Sequence, residues 1–81
     1  MNEEKEFSVV QFFEDNSYEY VRRFVSASEA AKAAEHYIHS LGAQLGFVKR
    51  VIVTDGNDFC CFDWVNGKGV VFPAPPQFTL H

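Results

Sequence analysis

Three features of the sequence predict an α+β domain of order ββαβββ, in which one amphipathic helix packs on a mainly antiparallel sheet of about five strands. One is the stretch Ser26 to Gly46, the only segment with a long helical period. The second is a set of short runs rich in β-branched and aromatic residues, and the third is the clusters of turn formers between those runs.

The first run, Phe7 to Phe13 (FSVVQFF), and the second, Tyr18 to Val25 (YEYVRRFV), are separated by Glu14, Asp15, Asn16 and Ser17. These four residues favour turns through short polar side chains that bond to their own backbone, so the two runs read as a β-hairpin. In the helical stretch, Ala27, Ala30, Ala31, Ala34, Tyr37, Ile38, Leu41 and Leu45 fall on one stripe of a 3.6-residue period, which predicts that they are buried together. Ser26 and Glu29 have the spacing of a capping box, and Val25 and Ala30 that of a hydrophobic staple. Gly42 and Gly46 compete for the position past the helix end. Gly46 is preferred because Leu45 continues the stripe and an interior Gly42 costs only about 1 kcal/mol relative to alanine. The alanine half of the stripe lets the helix approach a sheet closely, with Ala31 and Ala34 expected at the contact and Ala33 on the flank.

After the helix, Phe47 to Thr54 (FVKRVIVT) is the third strand and Asp55-Gly56-Asn57-Asp58 a turn. Phe59 to Val65 (FCCFDWV) is the fourth strand. Asn66-Gly67 suits a type I′ hairpin turn into a short fifth strand, Gly69 to Phe72, and Pro73 ends the pairing. If the third strand lies beside the first, the sheet order is 2-1-3-4-5.

The 81 residues form a single domain, 1–81, with a polar N-terminal end (1–6) and a Pro-rich C-terminal tail (73–81). Nine Phe, three Tyr and one Trp are a large aromatic load for so small a chain and need covering. A net charge of −4 gives no general attraction to nucleic acid or to an anionic membrane surface. The first apolar run follows Glu3, Glu4, Lys5 and Glu6 rather than a basic leader, and no run of 18 apolar residues occurs, so a cytoplasmic chain without a membrane segment is expected. Cys60 and Cys61 are adjacent. Neighbours on a strand point to opposite faces, which disfavours a disulfide between them and predicts free thiols in a reducing compartment.

Both parities of the strands are apolar: Phe7, Val9 and Phe13 against Val10 and Phe12, then Phe47, Val51 and Val53 against Val48 and Ile52. Both sheet faces therefore carry apolar side chains, and one helix covers only one of them. That excess predicts a non-enzymatic protein–protein interaction module, either a homodimer or a domain with an unknown protein partner, unless the tail folds back over the second face.

Candidate chemistry is sparse. His36 and His39 are two possible imidazole ligands without a third, and solvated helix histidines explain them. Cys60 shares strand parity with Phe62 and Trp64, which suits a small apolar residue better than a nucleophile. Asp55 to Asp58 lacks the spacing of a calcium loop. Asp63, between Phe62 and Trp64, is one carboxylate without a partner acid or base. No catalytic residue, cofactor site or metal site is assigned. The possible interaction surface is Tyr20, Arg22, Arg23, Phe24, Lys49, Arg50, Phe62 and Trp64. In it, Arg22 with Arg50, or Arg23 with Lys49, makes a short basic stripe beside Tyr20 and Phe24. Basic and aromatic residues on an open sheet also suit single-stranded nucleic acid, the alternative function, although an RNP1-type motif is absent and Glu19 or Asp63 can neutralise the arginines.

Overall fold

The computed structural model describes residues 5–73; residues 1–4 of the expected polar end and 74–81 of the expected tail lie outside the described residues. Its elements are β1 (Phe7–Phe13), β2 (Tyr18–Val25), α1 (Ala27–Ile38), α2 (Leu41–Gln44), β3 (Val48–Thr54), β4 (Cys60–Val65) and β5 (Gly69–Phe72). The five strands form one antiparallel sheet of order β2-β1-β3-β4-β5, as the turn chemistry and strand patterns predict.

Two of the turns are closed by an aspartate. In the first, the Asp15 carboxylate accepts from the Ser17 hydroxyl and from the Ser17 backbone N–H at 2.9 Å, and these two bonds hold its pKa below the ordinary carboxylate value. In the turn between β3 and β4, Asp55 Oδ1 accepts from the backbone N–H groups of Asn57 at 2.8 Å and Phe59 at 3.0 Å. That carboxylate is committed to its own loop, a use that accounts for the acidic cluster without a cation.

The hairpin at Asn66-Gly67 corrects an expectation. Gly67 has φ +87°, but Asn66 is not in the left-handed region, so the pair is not type I′. The Asn66 side chain has another task. Its Nδ2 donates to the carbonyls of Ala43 at 2.7 Å and Val48 at 2.8 Å, tying the end of α2 and the start of β3 to the β4–β5 turn.

The helical stretch is also corrected, in span and in face. α1 ends at Ile38, and Ser40 starts α2 by accepting from the Ala43 N–H at 3.2 Å, just as Ser26 accepts from the Glu29 N–H at 3.2 Å to start α1. Gly46, at φ +85°, lies past the end of α2, the position predicted for it. Because the axis breaks at His39, Leu41 and Leu45 leave the stripe and are 68% and 60% exposed. The buried residues of α1 are Ala30, Ala33 and Ala34, whereas Ala27 and Ala31 are exposed. They pack with Val9, Val48, Val51 and Val53, so small side chains on both layers set a close helix-to-sheet spacing over the central strands β1 and β3.

An apolar groove as the candidate functional site

Antiparallel register fixes which side chains share a sheet face. Val9 pairs with Val53 and Val53 with Phe62, and Val51 pairs with Trp64 and Trp64 with Val70, so these residues line the helix side. Tyr20, Val10, Ile52, Asp63 and Phe72 form a row on the opposite side. Five strands are roughly 19 Å across, whereas a helix with its side chains is about 10–12 Å wide. α1 lies over β1, β2 and β3, and among the described residues no second helix covers the helix side of β4 and β5.

The uncovered strip is a groove of about 310 Å³ between α1 and the strands β4 and β5. Ala27, Ala31, Ala34 and Ile38 form the helix wall, Val53, Phe62 and Val70 the sheet floor, and Phe7 one end. Of the predicted helical stripe, Ala27 and Ala31 are thus on this wall and not in the core, while Ala34 and Ile38 border both. Among the described residues, Glu35 is the one charged side chain on the lining, and no hydrogen bond or ion pair engages its carboxylate.

Cys61 also borders the groove. The register slips between Val53 and Thr54, which gives β4 an extra residue at Cys61 and separates Cys60 from the face of Phe62. This corrects the expected shared face of Cys60 with Phe62 and Trp64. The Cys61 thiol is exposed yet donates to the Val53 carbonyl at 3.4 Å. Its pKa is raised, chiefly by desolvation and next by the nearby Asp55 carboxylate, so both effects oppose the thiolate that a nucleophile needs.

The other sequence-selected residues fall into separate groups rather than one surface. Two register slips in β2 turn Arg22 toward the helix, where it borders a hollow with Glu29, Lys32 and His36, while Arg23 stays with Tyr20, its guanidinium 4.4 Å from the ring centroid. Phe24 adjoins Arg23 and is exposed. Arg50 makes a two-point ion pair with Asp63, at 2.9 and 2.7 Å, and that carboxylate raises the arginine pKa. Lys49 is bonded to Asn16 in the first turn. Trp64 is half-buried against the core and Phe62 lies in the groove. His36 stands edge-on to the Tyr37 ring, and His39 Nδ1 donates to the Glu35 carbonyl at 3.0 Å. Among the described residues no three His, Cys, Asp or Glu side chains cluster as metal ligands, and no helix is long and apolar enough to cross a membrane.

The groove escaped sequence reading because its wall is alanine, which marks close approach without saying to what. The signal that could have found it is Ser40 followed by Gly42, a second helix start that shortens α1 and changes the phase of the stripe. No protein-family model matches the chain, and no curated protein or solved structure matches it significantly.

Proposed function

We propose that the protein is a non-enzymatic protein–protein interaction module that works through its uncovered apolar sheet surface. The observation that carries this reading is the groove beside α1, whose floor and helix wall are apolar and whose rim bears one carboxylate. Apolar surface of this kind is stabilised when a partner removes it from water, at about 25 cal/mol per Å². Chemistry has little to work with: both cysteines, both described histidines and Asp63 are held in contacts that account for them.

Nucleic-acid binding is less well supported. Arg50 is neutralised by Asp63, Lys49 is directed into a turn, and Arg22 faces the helix, which leaves Arg23 alone beside Tyr20 on the open face. A phosphate backbone needs several unpaired cations in a row.

The test is site-specific photo-crosslinking in cells, with the photoreactive residue at position 70 in the groove and, as control, at exposed Lys32. Discrete adducts from position 70 alone are expected. Sedimentation velocity of the purified chain then separates the two forms of the reading, since a homodimer adduct requires self-association and a partner adduct does not. Absence of adducts from position 70, with a monomer in sedimentation, overturns the proposal.

A further inference from the structure

We infer that the groove receives an extended segment of a partner protein, which adds as a strand to the outer edge of β5 and directs apolar side chains and one cation into the groove. The inference rests on the interaction-module reading and names its partner's chemistry.

Three observations meet at this place. β5 is the terminal strand of the sheet, so its outer backbone N–H and C=O groups have no partner strand among the described residues. Its sequence, Gly69-Val70-Val71-Phe72, has no charged side chain to repel an incoming strand. Val70 also belongs to the groove floor, so an added strand paired beside it would place side chains on the side that the groove occupies; a slip at Val71 turns Phe72 to the opposite face.

A competing occupant uses only part of this. A docked helix or a small apolar molecule would cover Val70 and Phe62 but leave the β5 backbone unpaired. A second copy joined β5 to β5 would satisfy the backbone but offer only Val and Phe along the shared strand, its nearest cation being Lys68 in the β4–β5 turn, outside the paired residues. A foreign strand with apolar residues at i and i+2 and a Lys or Arg on the same face complements all three features. The backbone bonds supply affinity, and the groove and Glu35 supply selectivity.

The opposite edge strand, β2, gives no equivalent site. It has two register slips, it carries Glu19, Arg22 and Arg23, and Phe24 is held at φ +56°. β5 also has one slip, at Val71, and Gly69 at φ +87°, so what separates the two edges is charge: Glu19, Arg22 and Arg23 on β2 oppose an incoming strand, and β5 carries no charged side chain.

The experiment is selection of a displayed library of random twelve-residue peptides on the full chain and, in parallel, on Glu35→Lys, with thermal melts confirming that both are folded. Enriched peptides should alternate apolar residues at i, i+2 and carry Lys or Arg, and Glu35→Lys should exchange that cation for Asp or Glu. Methylating alternate backbone amides of the best peptide should weaken binding about tenfold in one register and leave it unchanged in the other, since only one row of amides faces β5. Enrichment of a 3–4 spacing, no enrichment, or equal sensitivity of both registers overturns the strand; an unchanged charge preference with Glu35→Lys overturns the role of Glu35. If position 70 still crosslinks discretely in cells while the library yields no strand, this inference fails and the interaction-module reading stands; if both yield nothing, both fail.

Discussion

The two flanks of α1 differ in what they touch, although both are lined with alanine. On one, Ala30, Ala33 and Ala34 are packed against Val9, Val51 and Val53; on the other, Ala27 and Ala31 face the groove above Phe62 and Val70. The packed flank has small side chains on both layers, so helix and sheet meet with no space between them. The open flank has the same small residues opposite larger, partly exposed ones and, among the described residues, no second layer to complete it. Alanine thus records the closeness of a helix to its sheet, but the neighbouring layer decides whether that closeness becomes a core or a site.

The comparison breaks most readily at the sheet. Val51 is 0% exposed and Val70 39% exposed, one under each flank. Val51→Ala removes two buried methyl-sized groups and leaves a cavity, a loss of about 2–3 kcal/mol. Val70→Ala should cost under about 0.5 kcal/mol, because surface changes rarely exceed that. Denaturant titrations of both variants check the difference, and similar losses would mean that the strip over β4 and β5 is core.

The helix gives the next largest effect. Ala33→Leu inserts volume at a packed contact and should destabilise by about 1–3 kcal/mol, a fall in melting temperature of about 4–8 °C per kcal/mol in a domain of this size. Ala31→Leu extends into the groove and should be near neutral, or slightly stabilising through contact with Phe62. Thermal melts that rank Ala31→Leu as the more damaging would restore the face expected from periodicity alone.

That ranking marks where the sequence was legible and where it was not. Strand order and turns were readable because β-branched runs and polar turn residues act locally, and five short antiparallel strands with one crossover admit few arrangements. The phase of α1 was not, because alanine weighs little in a hydrophobic stripe and the heavier residues Leu41 and Leu45 belong to a different axis after Ser40. The expected interaction surface was half legible. Phe62 reached the groove by strand parity, but the slips in β2 that put Arg22 on the opposite face from Tyr20 arise in the pairing of β2 with β1, which no single run encodes. Glu35, a solvent-facing residue of an amphipathic helix by its spacing, acquires meaning only from the strands left bare beside it.

The smallest effect tests the contrast between the two sheet edges. Phe24 sits in the left-handed region at φ +56°, with its N–H donating to the Ser8 hydroxyl at 3.4 Å, and its side chain is 64% exposed. A residue with a Cβ pays about 1 kcal/mol or more for this conformation, whereas glycine adopts it freely. Phe24→Ala loses the ring and its contact with Arg23 but keeps the strain; Phe24→Gly loses the same contact and relieves it. Glycine should therefore be more stable than alanine here by about 0.5–1 kcal/mol, the reverse of the order in a regular strand, where alanine is favoured by a similar amount. Denaturant melts of the two variants decide the sign. If alanine is the more stable, Phe24 is in ordinary extended backbone, and the preference for β5 over β2 as the receiving edge rests on the charged side chains of β2 alone.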